Sequence, residues 1–198
     1  MARLVNDTLD AEAIRSGALE MRPEPCDLVD VARAVIDTFQ VRAPEREIIL
    51  EALEAGDQAP VTVSADEQRI KQALCNCITN AVKYAPPDRP IVVTVRAPVS
   101  AIPSIALEQT NHQPVRPMAQ VTVRDFGPGL PESEQRRIWD PYARAEASER
   151  RTGGLGLGLF VMRSIIQSHG GQTWVESAPG AGCAFSFTLP LCAESSAS

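Results

Sequence analysis

The chain has 198 residues, 44% apolar and 22% charged, with a net charge of −6; that is an ordinary soluble composition with room for one well-buried domain and an appendage. The acidic balance excludes the basic face that nucleic-acid binding needs, and no apolar run reaches the roughly 18 to 20 residues that span a bilayer. Five cysteines, an odd number with no Cys-x-x-Cys pair, argue against a zinc site or a disulfide framework and for small buried side chains in a reducing compartment.

Residues 1–16 read as the end of a helix, with Leu4, Val5, Leu9 and Ile14 as a loose apolar stripe and Gly17 suited to its C-terminal cap. So short a helix cannot bury its stripe alone, so it is expected to pack against something outside this chain. Arg22-Pro23-Glu24-Pro25 reads as punctuation. Asp27 then caps a helix to about Arg42, with Val31, Val35, Ile36 and Phe39 on one face. Strands are expected over Glu47–Leu53 and Val61–Ser64. A second helix follows, from about Ala65 to Tyr84, with Ile70, Leu74, Ile78 and Val82 spaced by fours and Pro86-Pro87 as its stop.

Ile91–Val95 is a β-branched strand and Gln120–Arg124 the next; residues 97–118, with four prolines, read as a long loop between them. Residues 126–154 are largely loop, with a short helix near Glu132–Trp139. A third helix is expected over Leu155–Gly170, then strands at Gln172–Glu176 and Cys183–Pro190, then a Ser/Ala-rich tail. No internal repeat is evident. The order predicts an α/β (α+β) two-layer sandwich, a mixed sheet covered on one face by three helices.

Three segments carry chemistry. Asn76, Asn80, Lys83 and Tyr84 recur at spacings of three and four, so they are expected to share one polar face opposite the apolar one. An amide oxygen suits Mg²⁺, and Lys83 can meet a phosphate as a point charge; a plain solvated face is the alternative for this helix taken alone. Asp125 directly follows the strand Val121-Thr122-Val123, where a carboxylate can accept from an exocyclic amine. Gly127 and Gly129 would let backbone approach a flat base, although an ordinary Asp-Gly turn has the same composition. Gly154-Leu155-Gly156-Leu157-Gly158-Leu159 is expected to open the third helix, where free amides favour phosphate. It matches neither a dinucleotide fingerprint nor a P-loop, since no strand immediately precedes it and no Gly-Lys-Ser/Thr follows.

Together, Asn76-x-x-x-Asn80-Ala-x-Lys83-Tyr84, Asp125-x-Gly127-x-Gly129 and Gly154-x-Gly156-Leu-Gly158-Leu resemble the N, G1 and G2 boxes of sensor histidine kinases of two-component systems. Ile138-Trp139-Asp140-Pro141-Tyr142 resembles the F box, with Trp and Tyr where Phe is usual. His169-Gly170-Gly171, Trp174-Val175-Glu176-Ser177 and Gly180-x-Gly182-x-x-Phe185 resemble the closing helix and strand pair. The likeness runs over about residues 20–190 in the family's order.

The resemblance implies a Bergerat (GHKL) fold that binds ATP and Mg²⁺. Asn80 would be the metal ligand, and Asn76 and Lys83 the catalytic pair. Asp125 would hold the adenine. The nucleotide site would further take Tyr84, Gly127, Gly129, Leu130, Tyr142, the glycine-box residues 154–159, and Arg150 or Arg151 as a γ-phosphate contact. Residues 126–154 would form the ATP lid.

The implied division is 1–18, a remnant of the second helix of the dimerisation and phosphotransfer hairpin; 19–191, the catalytic domain; and 192–198, a disordered tail. Neither His112 nor His169 sits in an acceptor motif. The γ-phosphoryl would therefore pass to a histidine on a hairpin outside this chain, and from there to a response regulator. The expected location is cytoplasmic, with no direct membrane contact by this chain. A GHKL hydrolase would carry a general-base Glu where Asn76 stands, and an amide cannot take a proton from water near neutral pH. A non-catalytic ATP-sensing module is the other class, against which the three complete boxes count.

Overall fold

In chain order the elements are α1 (Ala2–Arg15), β1 (Glu24–Asp27), α2 (Leu28–Arg42), β2 (Ile48–Leu53), β3 (Thr62–Ala65), α3 (Glu67–Tyr84), β4 (Ile91–Val99), β5 (Met118–Arg124), α4 (Glu132–Gln135), a 3₁₀ turn (Arg137–Trp139), α5 (Gly158–Ser168), β6 (Thr173–Ser177) and β7 (Cys183–Pro190). This computed structural model describes residues 2–53, 60–99, 116–143 and 155–192. Five strands form one mixed sheet in the order β2-β4-β5-β7-β6, parallel between β2 and β4 and antiparallel elsewhere.

Register explains why the helices cover one face. Val93 lies opposite Val123, which lies opposite Phe185, then Val175; two residues along, Val95, Val121 and Phe187 form the next row. Side chains alternate along a strand, so these rows share one face. They are buried in one core with Val31 and Val35 of α2, Ile70, Leu74 and Ile78 of α3, and Met162 and Ile165 of α5. The intervening row, Thr94, Thr122, Ser186 and Trp174, points the other way. It is tied by a 2.9 Å hydrogen bond between the Thr122 and Ser186 hydroxyls.

Asp27 caps α2 as expected: its Oδ1 accepts from Val29 N–H at 2.9 Å. The preceding prolines do more than punctuate. Glu24–Asp27 pairs antiparallel with β3, with Pro25 opposite Ser64. A two-stranded ribbon consists of edges only, and proline is tolerated on an edge. β4 also runs past its expected end, to Val99, with a register shift between Arg96 and Val99. That irregularity is what admits Pro98 into a ladder. Residues 97–99 and Met118 of the expected loop are therefore strand, and 100–115 lie outside the described residues. The short helix expected near 132–139 is divided between α4 and the 3₁₀ turn.

The largest departure is α1, which packs within the chain. Ala11 is buried and Ile14 joins the core, while Leu9 of the expected stripe stays exposed. Asp10 accepts from Arg69 Nη1 at 2.8 Å and Gln72 Nε2 at 2.6 Å, both on α3. A polar anchor and a small side chain dock this helix, and a count of large apolar residues overlooks both. Gly17 ends it with φ +69°. Among the described residues no helix is long and apolar enough to cross a membrane.

Candidate functional site

α3 is fixed at both ends. At its N-terminus Asp66 accepts from Arg69 N–H at 3.2 Å and from Arg22 N–H at 3.1 Å. These backbone donors hold its carboxyl below the usual range, against the opposing effect of burial. His169 Nε2 accepts from Asp66 N–H at 2.9 Å, and its Nδ1 lies 2.8 Å from the Ile165 carbonyl. That carbonyl can only accept, so these two hydrogen bonds call for Nδ1 as the donor and Nε2 as the acceptor. At the C-terminus the buried Arg46 donates to the carbonyls of Val82 (2.8 Å), Ala85 (2.6 Å) and Pro86. A guanidinium there satisfies orphan carbonyls and opposes the negative helix end.

Along that helix the four polar residues do not share one solvated face. Asn76 is 3% exposed and its Nδ2 donates to the Gly158 carbonyl at 2.9 Å. It thus joins α3 to the start of α5. The plain solvated face, the alternative reading of this helix, does not describe Asn76, because the start of α5 covers that side. Asn80 is part-exposed, and among the described residues its amide has no protein partner. Lys83 Nζ sits 4.8 Å from the centroid of the Tyr84 ring, which is itself exposed.

Asp125 lies at the end of β5, only 3% exposed. Its Oδ1 accepts from Gly127 N–H at 2.8 Å and Cys183 N–H at 3.3 Å. Oδ2 has no protein partner among the described residues. Burial raises the carboxyl above its ordinary range, and the two N–H donors oppose that rise only in part. When ionised, this buried carboxylate has one oxygen able to accept a further hydrogen bond.

The glycines at this end of the sheet are places where backbone packs closely. A Cβ on Gly129 would stand 1.9 Å from the Ala178 carbonyl, and one on Gly182 2.1 Å from the Asp125 carbonyl. A Cβ on Gly127 would stand 3.0 Å from both the Tyr84 carbonyl and the Asp125 Oδ1. Each glycine permits backbone to approach backbone, or the Asp125 carboxylate. The β6–β7 turn is folded against 127–130 in this way, and Gly180 N–H donates to the Pro128 carbonyl at 2.7 Å.

The glycine box precedes α5 instead of opening it. Gly156 has φ +71°, which is not helical, and the helix begins at Gly158. Leu155 is exposed, Leu157 buried, and Leu159 partly buried against the core. Tyr142 is 59% exposed with φ +65°, and its N–H donates to the Gly156 carbonyl at 3.1 Å. Gly154, Arg150 and Arg151 lie outside the described residues. Leu130 donates its N–H to Ser177 Oγ at 2.8 Å. The structure thus gathers Asp125, Gly127, Gly129 and Leu130 at one end of β5, with Tyr84 against them, and joins Asn76 to Gly158.

Sequence reading overlooks Arg46, Gln135, Ser177 and Cys183, which hold this frame. Ser177 and Gly182 stand inside recognisable motifs, but no spacing rule announces Arg46. Among the described residues no three His, Cys, Asp or Glu side chains gather as a metal cluster. A cation here would have to rely on an amide oxygen such as that of Asn80 and on ligand oxygens.

A family model described as histidine kinase-, DNA gyrase B-, and HSP90-like ATPase matches residues 65–193. The adaptive-response sensory kinase SasA of Synechocystis sp. is 33% identical over 191 residues, 96% of this chain and 45% of that protein. Its Prochlorococcus marinus counterpart is 34% identical, over 95% and 44%. The chain thus spans a little under half the length of the curated relatives it matches. Among solved structures, full-length ShkA in complex with AMPPNP aligns with a TM-score of 0.73 at 26% identity, over 96% of this chain and 35% of that one. The catalytic domain of histidine kinase ThkA aligns at 0.67 and 26%, over 86% and 97%.

Proposed function

The chain belongs to the histidine kinase-, DNA gyrase B- and HSP90-like ATPase family, and from that premise we propose that it binds Mg-ATP and transfers the γ-phosphoryl group to a histidine on a dimerisation hairpin of the parent kinase. A response regulator then receives the phosphoryl group. The observation that carries this reading is Asp125: a buried carboxylate with both protein donors on Oδ1 and Oδ2 left for a ligand. An adenine N6 amine is the matching donor.

The residues fit a bound nucleotide and metal. Asn80 offers an uncommitted amide oxygen as the Mg²⁺ ligand, while Asn76 spends its Nδ2 on Gly158. The cation would neutralise phosphate charge, which phosphoryl transfer needs more than covalent help. Lys83 and Tyr84 lie one turn further on, suited to the phosphates, with the 126–154 segment over the nucleotide. Arg150 and Arg151 stay candidates for the γ-phosphate by charge and position. At Asn76 there is an amide where hydrolysis would need a carboxylate base, so transfer is the better reading. Residues 1–18 are read as part of the hairpin's second helix and 19–191 as the catalytic domain, in a cytoplasmic setting.

Incubating the chain with γ-labelled ATP, Mg²⁺ and a separately supplied acceptor hairpin tests this. Label should appear on the hairpin's histidine. Asp125→Asn should weaken ATP binding about tenfold or more, and Asn80→Ala should abolish the Mg²⁺ dependence of affinity. Nucleotide binding without any label transfer would instead support a sensing module.

A further inference from the structure

We propose that Ser177 is a positioning residue for the purine: it locks the β6–β7 turn and the 127–130 backbone around Asp125, so that Oδ2 is held at a fixed angle to the base. This rests on the nucleotide reading above and adds the residue that sets its base selectivity.

The hydroxyl of Ser177 is used to capacity. It donates to the Gly182 carbonyl at 2.7 Å and accepts from Leu130 N–H at 2.8 Å. Cys183 Sγ lies 3.3 Å away. A serine has one proton, and Gly182 takes it, so the thiol is the donor in that third contact. Burial pushes the Cys183 thiol up to about 11, which keeps its proton in place. A second tie runs through Gln135, whose Nε2 donates to the Ser177 carbonyl at 2.8 Å and the Leu130 carbonyl at 3.2 Å.

These bonds converge on the carboxylate from both sides. On one side the chain runs from Ser177 through Gly182 to Cys183, whose N–H reaches Asp125 Oδ1. On the other it runs through Leu130 back to Gly127, whose N–H reaches the same oxygen. With Gly129 pressed on Ala178 and Gly182 on Asp125, the frame has little room to shift. Releasing Ser177 frees both arms together, and an acceptor whose direction wanders discriminates poorly between an amine and a carbonyl.

The test compares ATP with ITP, whose base carries an oxygen in place of the N6 amine. Dissociation constants are measured by calorimetry on the 198-residue chain with Mg²⁺. The wild type should prefer ATP. Ser177→Ala should lose about fivefold in ATP affinity, the worth of one hydrogen bond of ordinary net strength, with ITP affinity unchanged, so the ratio falls by that factor. Ser177→Thr, which keeps the hydroxyl, should restore it. An unchanged ratio, or an equal loss for both nucleotides, overturns the proposal. Gln135→Leu removes only the second tie and should shift the ratio in the same direction; it decides the matter if Ser177→Ala does not fold, and no shift there overturns the proposal too. A wild type without preference for ATP defeats the nucleotide reading itself.

Discussion

Asp125 sets two properties against each other. Burial raises its carboxyl above the ordinary carboxylate range, so the folded chain binds this proton more tightly than the unfolded chain does. Stability from this group therefore increases as pH falls into the raised range and is lost as pH rises through it. Nucleotide binding has the opposite sign, because the acceptor must be ionised. As pH is lowered into that raised range, ATP affinity should fall while the chain without nucleotide gains stability from this one group. Asp125→Asn should flatten both trends; titration calorimetry and thermal melts of the pair across pH 4 to 8, compared as differences, check it. Asn80 and Asn76 show how identical side chains one turn apart take different work. Asn76 gives its Nδ2 to Gly158 while Asn80 makes no such bond among the described residues, and only their neighbours in space decide that. Both residues were legible in the sequence as a motif. Which of them is uncommitted was not, since Gly158 lies 82 positions away from Asn76.

α3 is held at one end by Asp66 and at the other by Arg46. Its apolar spacing by fours and its proline stop make it readable from sequence alone, as is the Asp27 cap of α2. Arg46 is not readable, because it stands in a loop and acts 36 to 40 residues downstream. Arg46→Met should leave the Val82, Ala85 and Pro86 carbonyls without this donor, the Ala85 bond being buried, and cost about 2 to 4 kcal/mol. Urea denaturation of the 198-residue chain measures it, and Arg46→Lys should recover only part, since an ammonium lacks the planar fork. The strands legible by β-branching, β4 and β5, form the sheet's middle. The sequence hides β1, because Pro25 masks a pairing that only β3 reveals. The glycine box was placed a turn too far into α5 for a related reason. Gly156 has a left-handed φ and lies so close to the backbone of Tyr142 and Ala143 that no Cβ fits, and that contact is tertiary.

For the molecule as one body, the docking of α1 matters most. A helix of 14 residues is marginal in water, so its existence here depends on Asp10, Ala11 and Ile14 finding α3 and α5. The Asp10–Arg69 pair is largely shielded from solvent, at 16% and 28% side-chain exposure, and should count for more than a surface pair. Asp10→Ala should therefore release α1 while sparing the sheet. Hydrogen exchange should report loss of protection across 2–15 with β4 and β5 unchanged, and a stability loss of roughly 1 to 2 kcal/mol. Protection persisting in that segment would show that the apolar contacts alone hold it.

The bond from Tyr142 N–H to the Gly156 carbonyl brings the two ends of the intervening segment together at its base. Once a loop is stapled at its root, its length becomes nearly free of charge: doubling the number of residues costs only about 0.6 kcal/mol in closure entropy. Because the closure cost is already met at Tyr142 and Gly156, a residue inserted between those two positions should cost the fold only a few tenths of a kcal/mol in loop entropy, which urea denaturation of the variant measures.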